Sequence, residues 1–277
     1  MLISKYQGSG NDFILIDNRD NFVYKEIEAL GLGIQEFVKK LCEQHVSVGA
    51  DGVILIEKAR NPKNHFSWAF FNADGSVAEM CGNGSRCAAR FCYEKGIAPK
   101  DMVFETLAGE IEAHIIDSRR VKVQLTPYHS YQKDIEIKTE YGTFKGHFVN
   151  TGVPHFVVFV EEDELEKLDV EKIGRAIRYH EYFAPKGTNV NFVAKTKDGH
   201  FKVRTYERGV EGETLACGTG SAACGINAYL LGFSASNIVD IITKSGELLK
   251  ITIENDKVFL EGPTTKVFEG MLSYEIF

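Results

Sequence analysis

The distribution of apolar and polar positions along the chain predicts an α+β protein. Short apolar stretches separated by turns that contain Gly, Asp and Asn are typical of β-strands. These stretches lie at residues 2–7, 12–17, 53–56, 65–72, 102–106, 110–116, 121–125, 156–160, 189–194 and 202–206. Further strands are expected towards the C-terminus, the last of them containing Lys266-Val267-Phe268.

Several other segments carry a helical pattern. Residues 34–45 place Phe37 and Leu41 on one face with charged residues elsewhere, which predicts an amphipathic helix. We also expect a charged helix from residue 161 to about residue 179. Residues 218–231 contain no charged side chain, and a helix that is apolar on all sides is buried. By contrast, residues 127–141 carry little pattern, and we interpret them as a connection between two halves.

One short segment occurs twice. Cys81-Gly82-Asn83-Gly84-Ser85 returns as Cys217-Gly218-Thr219-Gly220-Ser221, at a constant offset of 136 residues. Each copy opens a run of small residues that predicts a helix. We therefore interpret the chain as a duplication, in which each half is a curved sheet around one central helix that presents a cysteine at its N-terminal end.

The composition places limits on the partners of the chain. Its 277 residues are 44% hydrophobic and 26% charged, as in a soluble globular protein, and its net charge of −7 argues against nucleic acid or an anionic membrane as partner. The first residues lack the apolar core of a signal peptide, and no apolar run approaches the ~20 residues that cross a bilayer. We expect a cytoplasmic protein without nucleic acid or membrane partners.

The six cysteines are expected to be reduced, because no secretion signal precedes them. No Cys-x-x-Cys pair occurs and no His stands at ligand spacing from a Cys, so we expect no metal site. We see no dinucleotide fingerprint or phosphate-binding loop and expect no cofactor. Four cysteines are interpreted as small buried hydrophobes: Cys42, Cys87, Cys92 and Cys224.

The remaining pair, Cys81 and Cys217, suits acid–base chemistry. The start of a helix presents N–H groups without intrahelical acceptors and a partial positive charge, which lower a thiol pKa. The N–H groups of Gly82-Asn83 and Gly218-Thr219 can hold a carboxylate. One thiolate would remove a proton from the carbon beside that carboxylate while the other thiol donates one from the opposite face, which inverts the carbon.

Other polar residues stand near these segments. We place His155 and Glu207 in turns after matching strands, where they could tune the two thiols, although a histidine is as often an ordinary turn residue. Arg208 is a turn charge that could bind a second carboxylate through its guanidinium fork. On the residues alone, Asn11, Asn72 and Asn189 are ordinary turn residues.

In these and neighbouring segments the chain resembles the diaminopimelate epimerases. The resemblance spans nearly the whole chain, and the Asn after Cys81-Gly82 favours this family over the related proline racemases, which carry His there. The segments that carry it are Gly8-Ser9-Gly10-Asn11-Asp12-Phe13, Phe71-Asn72-Ala73-Asp74-Gly75-Ser76, Glu79-Met80-Cys81-Gly82-Asn83-Gly84, Thr188-Asn189, Tyr206-Glu207-Arg208-Gly209 and Ala216-Cys217-Gly218-Thr219-Gly220.

The resemblance implies two pseudo-symmetric halves, each a barrel-like sheet around a central helix, with the active site in the cleft between them. It implies an N-terminal half of residues 1–126 that is joined by the C-terminal strand 266–277, a C-terminal half of residues 127–265, and a homodimer. The expected substrate is 2,6-diaminopimelate, a diamino dicarboxylate on the route to lysine and peptidoglycan precursors.

The resemblance also implies a role for each site residue. Cys81 and Cys217 are the acid–base pair, assisted by His155 and Glu207. The reacting carboxylate is bound by Gly82, Asn83, Gly218 and Thr219. The rest of the substrate is bound by Asn11, Asn72, Asn189, Glu207 and Arg208.

Three positions depart from the family pattern. Val153 stands where the family usually has Asn in Gly-Asn-Pro-His, so it cannot make the hydrogen bonds of an amide. Gly52 occupies a position where many members carry Gln, and Phe268 stands where Tyr is often found near the dimer contact. Val153 keeps open a broader amino-acid racemase or epimerase. A redox-sensing carboxylate-binding protein, in which the two thiols close a disulfide, is the alternative from another class.

Overall fold

The computed structural model describes residues 1–255 and 257–277, which form two compact units. The N-terminal unit comprises Met1–Val123 together with Pro263–Phe277, and the C-terminal unit comprises Gln124–Gly262.

The N-terminal unit is a curved sheet with three helices. Its strands are β1 (Leu2–Gly8), β2 (Asn11–Asp17), β3 (Gly52–Glu57), β4 (Phe66–Asn72), β5 (Asp101–Thr106), β6 (Gly109–Ile115), β7 (Arg120–Gln124) and β17 (Thr265–Met271). Its helices are α1 (Phe22–Ala29), α2 (Ile34–Cys42) and α3 (Gly82–Glu94), and a 3₁₀ turn covers Tyr274–Ile276.

The C-terminal unit is built in the same way. Its strands are β8 (His129–Thr139), β9 (Gly142–Asn150), β10 (Pro154–Phe159), β11 (Asn189–Lys195), β12 (Phe201–Glu207), β13 (Gly212–Thr214), β14 (Ile238–Ile242), β15 (Leu248–Glu254) and β16 (Lys257–Pro263). Its helices are α4 (Glu162–Lys167), α5 (Val170–Arg178) and α6 (Gly218–Leu230), and a 3₁₀ turn covers Glu181–Phe183.

Strand pairing repeats between the units. In the N-terminal unit β1 and β2 are antiparallel, β2 and β3 parallel, β3 and β4 antiparallel, β4 and β5 parallel, and β5, β6 and β7 antiparallel. The C-terminal unit repeats this series with β9, β10, β11, β12, β14, β15 and β16. Strand β17 pairs antiparallel with β1 as β8 pairs with β9. The duplication predicted from the two cysteine segments therefore extends to the topology.

Each sheet is covered on both faces. One face of the β1–β4 sheet packs Ile14, Ile16 and Val53 against Phe37 and the rest of the two crossover helices α1 and α2. On the other side, α3 packs against β1, β2, β3 and β6, so the sheet curves around it. Strands buried on both faces are continuously apolar, as the burial of β2 and β3 shows. The predicted fold class, a barrel-like sheet around a central helix in each half, is confirmed.

The structure corrects the predicted elements in two segments. Residues 127–141, interpreted as a connection, contain the eleven-residue strand β8, in which only Ile135 and Ile137 are buried, so the apolar alternation is short. The single charged helix expected at 161–179 is two helices, since Leu168 adopts an extended conformation and Asp169 caps α5 by accepting a hydrogen bond from the Lys172 N–H.

Among the residues that the structure describes, no helix has the length and apolar character required to cross a membrane.

Candidate active site

Cys81 is the N-cap residue of α3. Its backbone is extended, and its Sγ accepts a hydrogen bond from the Gly84 N–H at 3.4 Å. A hydrogen bond to the N-cap sulfur favours the thiolate, because the donor is directed at the charge. The N–H groups of Gly82 and Asn83 belong to the first turn, where helix geometry provides no intrahelical acceptor. The structure thus places a thiol and two N–H groups together at the positive end of a buried helix.

Asn83 links this cap to the start of β2. Its Nδ2 donates to Asn11 Oδ1 at 2.6 Å, and Asn11 Nδ2 donates to Asp51 Oδ2 at 3.1 Å. Asp51 in turn accepts from the Asp12 N–H, and Lys5 forms an ion pair with Asp12 at 2.8 Å. The Asn83 side chain is buried, and its Oδ1 accepts no hydrogen bond from the described residues. Two of the predicted substrate-binding residues are therefore in contact and held by charged neighbours.

Asn72 is the last residue of β4 and is exposed, with its Nδ2 donating to Ser76 Oγ at 3.0 Å within its own turn. It lies directly across from Gly52 in the β3–β4 ladder. A Cβ at Gly52 would stand 2.6 Å from the Phe71 carbonyl oxygen and 2.9 Å from the Phe70 ring. No side chain fits at position 52 without moving β4, so Gly52 is a packing requirement of this chain.

Cys217 is the N-cap residue of α6, in the same extended conformation, and is almost fully buried. Its Sγ lies 3.5 Å from Thr219 Oγ1, and the Thr219 carbonyl accepts a hydrogen bond from Thr151 Oγ1 at 3.2 Å. The Gly218 and Thr219 N–H groups again belong to a first turn without intrahelical acceptors. The two cysteines therefore occupy equivalent positions in their own units.

Glu207 is the last residue of β12 and lies beside the Cys217 side chain. Burial raises the pKa of its carboxyl, and the adjacent Thr214 and Cys217 side chains oppose this only in part. A carboxyl whose pKa is raised towards neutrality can exchange a proton with a neighbouring thiol. Glu207 was expected in a turn, and it instead ends a strand.

His155 is the second residue of β10 and is completely buried, so its placement in a turn is wrong. Burial, reinforced by the positive charge of Arg208, lowers the pKa of the His155 ring to about 3. Asn191 Nδ2 lies 3.1 Å from His155 Nδ1, and the Nε2 atom has no hydrogen-bond partner among the described residues. The ring is therefore neutral, with Nδ1 in contact with Asn191 and Nε2 without a hydrogen-bond partner among the described residues.

Asn189 joins two segments of the C-terminal unit. Its Nδ2 donates to the Pro154 carbonyl at 2.8 Å, and its Oδ1 accepts from the Arg208 N–H at 2.8 Å. Arg208 Nη1 donates to the Lys186 carbonyl at 3.3 Å. Arg208, Lys186 and Tyr182 all line a cavity of about 470 Å³. Asn189 thus positions Arg208, the residue expected to bind a second carboxylate.

The other cysteines differ from this pair. Cys42, Cys87, Cys92 and Cys224 are buried, which confirms their interpretation as small hydrophobes. Burial raises the pKa of Cys42 to about 12 and raises those of Cys92 and Cys224 well above the usual range. Within the described part of the chain, no three His, Cys, Asp or Glu side chains form a group that could hold a metal ion.

Sequence comparison then identifies the family. The model of the family described as diaminopimelate epimerase matches residues 3–130 and 147–267. The chain belongs to the diaminopimelate epimerase family. It is 90% identical over all 277 residues of both chains to a diaminopimelate epimerase from Hydrogenobaculum sp. strain Y04AAS1. A diaminopimelate epimerase from Aquifex aeolicus is 54% identical over 275 residues, which cover 98% of each chain.

Solved structures share the fold of this diaminopimelate epimerase family member at low identity. A Bacillus anthracis phenazine biosynthesis protein superposes with a TM-score of 0.72 over 98% of both chains at 14% identity. A probable proline racemase from Agrobacterium radiobacter K84 gives a TM-score of 0.68 over 100% of this chain and 94% of its own at 18% identity. These likenesses show the fold, and the family membership shows that the chain is an isomerase.

Proposed function

We propose that the chain interconverts LL-2,6-diaminopimelate and meso-2,6-diaminopimelate as a two-base epimerase that needs no cofactor. The observation that carries the proposal is the repeated thiol, Cys81 and Cys217, at the N-cap of one central helix in each unit. A single thiol can add or remove a proton on only one face of a carbon, whereas inversion requires both faces. The units Met1–Val123 with Pro263–Phe277 and Gln124–Gly262 would each contribute one acid–base group.

In the proposed reaction, one cysteine is a thiolate and the other a thiol. The thiolate takes the α-proton, and the electron pair of the broken C–H bond delocalises into the adjacent carboxylate. The N–H groups of Gly82, Asn83, Gly218 and Thr219 stabilise this charge, since helix N-termini bind anions. The thiol then donates its proton to the opposite face. The enzyme ends with the protonation states of its two cysteines exchanged.

The remaining site residues hold the substrate and tune the thiols. Glu207 lies beside Cys217 and can accept or return its proton. Arg208 would bind the distal carboxylate through its guanidinium fork, positioned by Asn189 through the Arg208 backbone N–H. Asn11 and Asn72 would contact the rest of the substrate.

A substrate panel tests the proposal. Purified protein is incubated with LL-diaminopimelate, meso-diaminopimelate and individual L-amino acids, and the stereoisomers are separated by chiral chromatography. We expect both diaminopimelate isomers to reach the same mixture and the monocarboxylic amino acids to remain unchanged. Turnover of several amino acids at comparable rates would instead favour the broader racemase that Val153 allows. The absence of turnover with every compound would contradict the proposal.

We also propose a homodimer in the cytoplasm, as the family resemblance implies. Support comes from apolar side chains that β1 and β17 leave exposed in the N-terminal unit, with Leu2 and its ladder partner Met271 on one face and Phe268 on the other. Exposed apolar side chains in one region are typical of contact surfaces. Light scattering after size exclusion should give twice the chain mass for the wild type, and Phe268→Asp should reduce the dimer fraction. A monomeric wild type would contradict this proposal.

A further inference from the structure

A buried polar cluster lies beneath the start of α6. His155, Asn191 and Thr205 occupy neighbouring strands, and their side chains share the face of the sheet on which α6 packs. All three are buried. Asn191 Nδ2 lies 3.1 Å from His155 Nδ1 and 3.3 Å from the Phe156 carbonyl oxygen, while Thr205 Oγ1 lies 3.0 Å from Asn191 Oδ1.

The Phe156 carbonyl determines which way the Asn191 amide points. A carbonyl oxygen can only accept, so the atom beside it must be the Nδ2 of Asn191. Turning the amide over would place two acceptor oxygens against each other in a buried site, which costs free energy. The same Nδ2 group faces His155 Nδ1, which must therefore be the unprotonated nitrogen of the ring. A neutral ring then carries its proton on Nε2.

The internal repeat supplies its own comparison. The strand registers place Phe13, Ile54 and Phe70 of the N-terminal unit at the positions of His155, Asn191 and Thr205. An apolar trio thus satisfies the packing at this place. The polar trio of the C-terminal unit buries groups that must be hydrogen-bonded to avoid a penalty. Packing alone does not explain the polar trio, which points to a functional role.

Asn191 also contacts the helix that carries the proposed catalytic thiol. A Cβ built at Gly220 would lie 2.5 Å from Asn191 Oδ1 and 3.2 Å from the Cys217 Sγ. The amide is therefore packed tightly under the first turn of α6. It connects the His155 ring on one side with the Cys217 cap on the other.

We propose that Asn191 is a positioning residue that holds His155 in the neutral tautomer with its proton on Nε2, so that His155 acts as a hydrogen-bond donor and not as a base. Its catalytic consequence rests on the epimerase function proposed above. His155 Nε2 is buried and has no hydrogen-bond partner among the described residues, so a fixed, uncharged N–H there favours negative charge on a group that comes within hydrogen-bond distance of it. The low pKa of His155 agrees with this role.

Nitrogen NMR of the full-length protein labelled with ¹⁵N at histidine tests the tautomer directly. His155 is one of eight histidines, and its signals are assigned as those missing from His155→Gln. We expect Nε2 to carry the proton and Nδ1 to be unprotonated at about pH 7, a region where free histidine begins to titrate. A proton on Nδ1, or on both nitrogens, would overturn the proposal. This measurement needs no variant at position 191.

Asn191→Asp provides the second arm. An aspartate carboxylate accepts a hydrogen bond where the amide donates one, so we expect the His155 proton to move to Nδ1 and epimerisation to fall by at least roughly tenfold. The matched control is Asn237→Asp, the same change at an amide that donates to the Ile253 carbonyl instead. It should leave the His155 tautomer and the epimerisation rate unchanged. An unchanged tautomer in folded Asn191→Asp would overturn the proposal. A confirmed tautomer in a protein that fails to epimerise diaminopimelate would refute the proposed function and leave the positioning role in place.

Discussion

At the scale of single residues, Glu207 lies beside the Cys217 thiol and has a raised pKa. Because its pKa is raised in the folded chain, the folded state binds the proton more tightly than the unfolded state. This stabilisation is fully present below the ordinary Glu pKa of about 4.3 and is lost as the pH rises through the higher folded pKa. We expect Glu207→Gln, which cannot ionise, to gain stability relative to the wild type as the pH rises through that window.

Urea unfolding at stepped pH values measures this difference. The control is Glu211→Gln, because burial works to raise the pKa of Glu211 but hydrogen bonds from the Gly209 N–H and from Tyr179 and Arg178 outweigh it and lower the pKa. Its stabilisation is present above about pH 4.3 and is lost as the pH falls further, so its window lies on the acid side. If the difference in free energy of unfolding between Glu207→Gln and the wild type does not change with pH, the raised pKa of Glu207 is contradicted.

The sequence predicted the helix-start positions of the two repeated cysteines better than the contacts around them. Cys81 and Cys217 stand out because they repeat, and both prove to be N-cap residues. Asn191 escaped notice because it looks like one polar residue within an apolar strand. Its importance comes from contacts with His155 and Thr205, 36 and 14 residues away, which only the strand registers bring together. A polar residue inside a buried strand was the available signal.

At the scale of elements, helices α3 and α6 differ in how well they tolerate a side chain at the glycine of their first turn. A Cβ at Gly220 would clash with Asn191 Oδ1 at 2.5 Å, whereas a Cβ at Gly84 would meet Ile54 Cδ1 at 3.3 Å. The first contact is with a short, buried amide that is already hydrogen-bonded, and the second is with the flexible end of an aliphatic chain. We expect Gly220→Ala to displace the Cys217 cap and lower activity by roughly tenfold or more, and Gly84→Ala to have a much smaller effect.

This pair is checked by steady-state kinetics together with thermal unfolding of each variant. Alanine raises helix propensity by up to about 1 kcal/mol over glycine, so a loss of activity in Gly220→Ala cannot be assigned to a weaker helix. Equal activity losses in both variants would contradict this expectation, because the clash with Asn191 at position 220 would then have no larger effect than the contact with Ile54 at position 84.

Element prediction failed where the pattern was absent. Strand β8 is largely exposed, so its polar residues resemble a linker, yet it completes the C-terminal unit as β17 completes the other. Helix α1 carries only two buried residues, Val23 and Ile27, and was not predicted. Strands buried on both faces, such as β2 and β3, were identified readily because every residue contributes to their pattern.

At the scale of the whole molecule, the predicted duplication is confirmed in the topology of each unit, while the pairing of the two thiols stays a proposal. Oxidised glutathione tests that pairing. If Cys81 and Cys217 act on one carbon, they should form a disulfide as two glutathione thiols are released, with loss of activity that a reductant restores. Peptide mass spectrometry should find this link and four unreacted cysteines of the six. Inactivation without the link would contradict the pairing.

In the proposed mechanism two thiols, one from each unit, invert one α-carbon. The most direct measurement follows deuterium incorporation and epimerisation of LL-diaminopimelate in deuterated water by the wild type, Cys81→Ala, Cys217→Ala and the buried control Cys224→Ala. We expect the wild type and Cys224→Ala to place solvent deuterium on the inverted carbon. Each of the other variants should lose epimerisation by roughly 10²–10⁴-fold, as expected for the loss of an acid–base group. Epimerisation at the wild-type rate by either Cys81→Ala or Cys217→Ala would contradict the account.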